Sequence, residues 1–165
     1  MDAIDLLEHQ HRELEAFFRE FRLLSSSEPK SRLAIFELIA DAVEAHAQME
    51  ERLFYPAARF HGTDALLLQG AEDNRRVQRL LAELAARQPG EPAFDERFVL
   101  LEQAVLAHAH AQEHGLFPLV KTQLGTQRLE ALGEAMMLAA AELGLVDEEP
   151  ERPDLIDYVP DAPPY

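Results

Sequence analysis

The chain has 165 residues and contains no cysteine. Disulfides, iron–sulfur clusters and thiolate zinc sites are therefore excluded, so any metal site has to use histidine and carboxylate side chains. Glycine is also scarce, with only 7 residues, which favours a chain that is largely helical. The length suits one domain with a sizeable core.

Positively charged residues are also few: the chain has 15 Lys and Arg and 31 Asp and Glu, which gives a net charge of −16. This balance disfavours nucleic-acid phosphates and anionic membranes as partners, since both attract basic surfaces. The longest apolar run, AMMLAAA, is too short to cross a bilayer. The first residues, MDAIDLLEHQ, lack the basic and apolar regions of a signal peptide. We therefore expect a cytoplasmic protein with no nucleic-acid or membrane partner.

Apolar residues recur at spacings of three and four along most of the chain, which is typical of amphipathic helices. No strand pattern with a period of two interrupts them. Because the connections between the helical segments are short, the sequence predicts an all-α, up-down-up-down four-helix bundle with a short fifth helix. The predicted helices cover residues 2–24, 30–60, 64–87, 93–124 and 126 to about 143.

The last 20 residues, VDEEPERPDLIDYVPDAPPY, differ from the rest in being acidic and rich in proline. A segment of this composition is predicted to form a tail, either disordered or lying on the surface. The predicted organisation is therefore a bundle over residues 1–145 and a tail over 146–165.

The chain contains an internal repeat. HAQMEERLFYP at 46–56 aligns with HAHAQEHGLFP at 108–118, and HRELEAFFREF at 11–21 aligns with NRRVQRLLAEL at 74–84. The repeat predicts two copies of a helical hairpin around a pseudo-twofold axis. The proline that closes each of the first two motifs is expected to end or kink its helix.

Histidines fall on three of the four equivalent positions, namely His11, His46 and His108, whereas the fourth is Asn74. Each histidine has apolar residues on its own helical face and is predicted to point inward. Glu50 lies one helical turn after His46, so both side chains can reach one metal ion. A buried carboxylate needs a cation, a hydrogen-bond network or a metal. The set suits non-haem iron, manganese or zinc, and it equally suits a metal-free polar core.

At these residues the sequence resembles the hemerythrin-like (HHE cation-binding) family, over roughly residues 3–140. The resemblance rests on HAQMEERLFYP together with LFP at 116–118. It implies a four-helix bundle with a non-haem di-iron centre that binds O2, that senses O2, NO or redox state, or that handles iron. It also implies that the ligands are His11, His46, Glu50 and His108.

The chain departs from the family pattern at two positions. Asn74 stands where the third helix of the family has a histidine, and Gln112 stands where the fourth has a glutamate. Glu113, the next residue, is a candidate substitute ligand. Three hypotheses follow: a di-iron centre, a single-metal site, and a metal-free bundle that acts as an interaction module. Because the sequence has no nucleophile motif and no phosphate-binding loop, we expect that the protein is not an enzyme.

Overall fold

The computed structural model describes residues 1–142, so the predicted tail at 146–165 lies outside the described residues. Within 1–142 the chain consists of helices and connecting loops, apart from one isolated bridge between Pro89 and Glu91. The all-α prediction is confirmed. None of the helices in this part of the chain combines the length and the apolar character that a membrane span requires.

Five helices, α1 to α5, build the described part of the chain. α1 spans Ala3–Leu23, α2 runs through Pro29–Met49, a π-helical turn at Glu50–Phe54 and a last α-helical turn at Tyr55–Ala57, and α3 spans Asp64–Ala85. α4 runs through Pro92–Ala111 and a second π-helical turn at Gln112–Leu116 into the segment Phe117–Glu142. Gly125 interrupts that segment with a φ of 72° and so separates the end of α4 from α5.

Local sequence signals explain where these helices begin and end. The Asp2 side chain accepts hydrogen bonds from the backbone N–H groups of Ile4 and Asp5, which caps α1. Pro29 and Pro92 lie in the first turns of α2 and α4, where a missing N–H costs nothing. The positive φ of Gly125 is a conformation that other residues rarely adopt, so the predicted break before α5 falls there.

Consecutive helices pack against one another, α1 on α2 and α3 on α4, and the segment that contains α5 returns to pack on α1. The up-down-up-down bundle and its fifth helix are thereby confirmed. Gly133 allows the close approach of α5 to the start of α1, because a Cβ atom on Gly133 would lie 2.7 Å from the carbonyl oxygen of Met1.

The core consists of two apolar clusters. One contains Leu14, Phe18, Phe21, Val43, Phe94 and Phe98, and the other contains Ile4, Leu7, Met49, Phe54, Phe117 and Met136. A layer of buried polar residues lies between them, and we call it the polar layer: His11, His46, Glu50, Asn74, His108 and Gln112. The two clusters fix the helices on both sides of this layer.

Both π-helical turns start at repeat-equivalent residues. The Tyr55 N–H donates to the carbonyl of Glu50, and the Phe117 N–H donates to the carbonyl of Gln112. Pro118 does not end its helix, because α-helical residues continue after it, whereas only Ala57 follows Pro56 before that helix ends. Since proline lacks an N–H and its ring crowds the carbonyl four residues earlier, the wider turn before it accommodates the ring without ending the helix.

Candidate metal centre

The Glu50 carboxylate lies at the middle of the polar layer and is fully buried. Its Oε2 accepts hydrogen bonds from the Tyr55 hydroxyl and from Asn74 Nδ2, each at 3.0 Å. Its Oε1 accepts one from Gln112 Nε2. Three neutral donors from three helices therefore stabilise a charge that burial would otherwise make very costly.

Two histidines approach the same carboxylate. Nε2 of His46 lies 3.3 Å from Glu50 Oε1, and Nε2 of His108 lies 3.2 Å from Glu50 Oε2. The three residues can each offer a ligand atom within 4.8 Å of the others. Ligand atoms about 2.0–2.1 Å from a tetrahedral ion are separated by about 3.3–3.4 Å. The observed nitrogen–oxygen distances are close to that separation.

All three inward histidines turn Nε2 toward the interior and Nδ1 toward an oxygen farther out. The outer contacts are His11 to Glu113 Oε1 at 2.8 Å, His46 to Gln10 Oε1 at 2.8 Å and His108 to Asp73 Oδ2 at 3.5 Å. In His11 and His46 the oxygen on Nδ1 holds the proton there and leaves the Nε2 lone pair free, as is usual for histidines that bind metals. In His108 the Nδ1 contact is too long for a hydrogen bond, and Nε2 contacts Glu50.

Several buried atoms of the polar layer lack a hydrogen-bond partner among the described residues. They are Nε2 of His11, Nε2 of His46, Nδ1 of His108 and Oε1 of Gln112. Buried polar atoms are nearly always satisfied, so a group of such atoms at one place requires an explanation. A cation would satisfy the two inward Nε2 atoms beside the buried carboxylate.

The electrostatics of Glu50 and His108 are linked. Burial alone would raise the pKa of Glu50, yet the neighbouring His46 and His108 hold that pKa well below its usual range. Burial would likewise lower the pKa of His108, but the negative charges of Glu50 and Asp73 raise it to about 9. In the metal-free protein at neutral pH, the charge on Glu50 is therefore balanced by a protonated His108.

His11 behaves differently, because burial and the nearby His46 lower its pKa to about 4. Its imidazole is therefore neutral at pH 7, with a lone pair available. The ring centroid of His11 lies 4.9 Å from that of His46. His11 thus borders the group formed by His46, Glu50 and His108 but is outside the set whose ligand atoms converge.

Of the five residues predicted as metal ligands, the structure brings His46, Glu50 and His108 together and places His11 beside them. It places Glu113 elsewhere. The Glu113 carboxylate contacts His11 Nδ1 on one side and the exposed Arg12 guanidinium on the other. In this position Glu113 orients His11 rather than reaching the convergent group.

Three residues of the site were not identified from the sequence: Gln10, Tyr55 and Asp73. Tyr55 is five residues after Glu50, a spacing that reaches the same atoms only because the intervening turn is π-helical. The sequence signal for the role of Tyr55 was Pro56, because a proline at that position favours a wider π-helical turn just before it. Gln10 and Asp73 are each adjacent in sequence to a residue of the polar layer, on the outer side of the imidazoles.

A small cavity of about 20 Å³ adjoins the histidines, which line it together with Asn74 and four apolar residues: Leu14, Val43, Val77 and Val105. A cavity of this kind needs about 10–15 Å³ to hold one water molecule. The cavity therefore admits a single molecule of about that size beside the imidazoles.

Comparisons with known proteins agree with this fold. The family model described as the hemerythrin HHE cation binding domain matches residues 2–120. The crystal structure of a hemerythrin HHE cation binding domain-containing protein from Mycobacterium kansasii superposes with a TM-score of 0.76 at 23% identity, covering 86% of each chain. A curated protein named DNA nickase, from Nostoc sp., is 26% identical over 130 residues, which are 79% of this chain and 36% of that protein. The chain thus spans about a third of the relative's length.

Proposed function

The chain belongs to the hemerythrin HHE cation-binding domain family, and on this premise we propose that it binds non-haem iron in the polar layer. The ligands in this proposal are His46, Glu50 and His108, with His11 as a neutral fourth donor. Imidazole and carboxylate groups suit iron among the transition metals. The sequence prediction of a single-metal site named the same four residues.

The observation that carries the proposal is the common orientation of the three imidazoles. Each has its Nδ1 on the side of an outer oxygen and its Nε2 directed inward, and in His108 the inward Nε2 contacts Glu50. Two of these nitrogens have no hydrogen-bond partner among the described residues. A purely structural polar core would be expected to satisfy them.

We further propose that the ligand of the bound iron is a diatomic molecule such as O2 or NO, for sensing or storage. When bound, iron supplies a redox-active centre to which such a molecule can attach. The chain's own residues limit the size of the ligand, because the cavity beside the imidazoles is only about 20 Å³. Four of its eight lining residues, Val43, Val77 and Val105 among them, are apolar, which favours an uncharged ligand.

A second candidate function is a metal-free interaction module, and one observation favours it. Glu50 already has neutral hydrogen-bond donors and a protonated His108 beside it, so its charge is compensated without metal. DNA cleavage, which the name of the Nostoc relative describes, is not part of our proposal. The net charge of −16 repels a phosphate backbone.

The test is the metal content and optical spectrum of protein purified without added metal, for the wild type and for His46→Ala. We expect bound iron in the wild type and its loss in the variant. His110→Ala is the matched control, because His110 is exposed on α4 and stacks on His114 away from the polar layer. Absence of stoichiometric metal in the wild type, after reconstitution with Fe(II), would leave the interaction module as the better proposal.

A further inference from the structure

The two hairpins contribute different groups to the polar layer. The first supplies His11, His46 and Glu50, and the second supplies Asn74, His108 and Gln112 at the equivalent positions. A symmetric pair of hairpins would offer the same histidines and a carboxylate from each half, which would suit two equivalent metal positions. In this chain the convergent ligand atoms come from His46 and Glu50 of the first half and His108 of the second, and the second half has no carboxylate at the position of Glu50.

We propose that the amides of Asn74 and Gln112 take the place of a second metal ion, so that the bundle holds one metal ion and Glu50 is a terminal ligand. This inference rests on the proposed function. It departs from the di-iron centre that the family resemblance implies, and it makes Asn74 and Gln112 the residues that determine how many metal ions bind.

The hydrogen bonds of Glu50 support a terminal role. An ionised carboxylate has about four lone-pair positions. Tyr55, Asn74 and Gln112 each donate a hydrogen bond into one of them. His108 Nε2 also lies 3.2 Å from Oε2, so the position that remains for a cation is the second one on Oε1, on the side of His46 Nε2 at 3.3 Å. A bridging carboxylate needs a free position on each oxygen for two ions, and the Asn74 and Gln112 amides fill the positions that a second ion would use.

The direction of the two amides is fixed by charge. Turning either amide over would place its carbonyl oxygen against a buried carboxylate, and the two negative ends would repel each other. The N–H groups must therefore point toward Glu50. In this orientation Asn74 and Gln112 present the positive ends of their dipoles where a second cation would lie, and they repel it.

The number of ligands leads to the same conclusion. A carboxylate-bridged pair of ions in a helical bundle takes about six protein ligands. The described residues of the polar layer offer three imidazoles and one carboxylate, and the Glu113 carboxylate is already paired with His11 and Arg12. One ion with open positions for water or a small ligand fits this set, whereas two ions do not.

The experiment compares the number of irons bound per chain in the wild type with that in the double variant Asn74→His, Gln112→Glu. Both proteins are reconstituted with Fe(II) under anaerobic conditions and oxidised. We expect one iron and the electron paramagnetic resonance signal of isolated high-spin ferric iron in the wild type. We expect two irons in the double variant, with that signal lost through coupling between the ions.

Gln103→Glu is the control for the added negative charge, because Gln103 is exposed on α4. It should keep one iron and the isolated signal. One iron in both the wild type and the double variant would overturn the inference but leave the proposed function standing. Two coupled irons in the wild type would also overturn it, and this outcome requires no variant to fold. A wild type without iron would overturn the proposed function and the inference together.

Discussion

The two halves of the polar layer have the same backbone and different chemistry. Each half has an inward histidine, then a π-helical turn four residues later, then a proline. At the start of the turn the first half has Glu50 and the second has Gln112. The backbone geometry follows from the prolines and the apolar clusters, whereas the ligand set depends on individual side chains. The shared fold therefore does not determine how many metal ions bind.

Tyr55 and Phe117, the aromatic residues that follow the two π-helical turns, also differ in chemistry between the halves. Tyr55 donates a hydrogen bond to Glu50, whereas the equivalent Phe117 has no hydroxyl and stacks on His11, with ring centroids 5.9 Å apart. The first half thus adds a hydrogen bond to the carboxylate, and the second adds a flat apolar surface to an imidazole. Both arrangements restrain the site, one through Glu50 and the other through His11.

The largest expected effect comes from removing the one carboxylate that distinguishes the first half. Glu50→Ala should abolish iron binding and lower the free energy of unfolding by about 3–5 kcal/mol, because it breaks a buried ion pair with His108 and leaves several buried donors without an acceptor. Metal analysis and urea unfolding of the metal-free protein test this. The matched control is Glu51→Ala, which removes an exposed neighbour and should change neither quantity by much.

The next effect is on the pH dependence of metal binding, since His108 of the second half must lose its proton to become a ligand. The pKa of His108 is raised to about 9 by Glu50 and Asp73 against the effect of burial, so this proton is bound at pH 6–8 and is lost as the pH rises through 9. The apparent dissociation constant for Co²⁺, used as a spectroscopic probe, should fall about tenfold per pH unit over pH 6–8. His11, with its pKa lowered to about 4, releases no proton in this range. An affinity that is independent of pH would contradict a protonated His108.

A smaller effect is expected from the outer partner of His11. Glu113→Gln removes the charge that holds the proton on Nδ1 and should weaken Co²⁺ binding about tenfold, as for other groups that orient metal-binding histidines. A loss of all metal would instead indicate that Glu113 is a ligand, which was the prediction from the sequence. Glu13→Gln, on the exposed face of α1, controls for the lost charge.

These variants also separate what the sequence predicts from what it does not. The helices and the pairing of the hairpins follow from apolar periodicity and from the repeat, and the structure confirms them. The inward position of His46 follows from the apolar residues on its helical face, and Glu50 shares that face because it lies one helical turn later. The role of Tyr55 could not be predicted, because α-helical spacing places Tyr55 on a different face from Glu50. The π-helical turn between them rotates Tyr55 onto the face of Glu50. Glu113 was predicted as a metal ligand because it follows Gln112 in the sequence. That position alone does not specify whether its carboxylate contacts a metal ion or the His11 imidazole.

The smallest expected effect concerns the Tyr55 hydroxyl, which the second half lacks. Tyr55→Phe should lower the free energy of unfolding by about 1 kcal/mol, as for one buried hydrogen bond, and should leave one iron per chain. A substitution at Gly70 tests the position of the Tyr55 hydroxyl independently, because a Cβ atom on residue 70 would lie 2.5 Å from that hydroxyl.

Gly70→Ala should therefore destabilise the wild type and have a smaller effect in the Tyr55→Phe background, which a double-mutant cycle by urea unfolding measures. Gly115→Ala is the matched control, since its Cβ would meet only Leu66, at 3.7 Å, and alanine favours a helix. If Gly70→Ala were equally destabilising in both backgrounds, its effect would come from general crowding. Gly70 would then not be required by the position of the Tyr55 hydroxyl, and the cycle would give no support for a restraint on Glu50 through that hydroxyl.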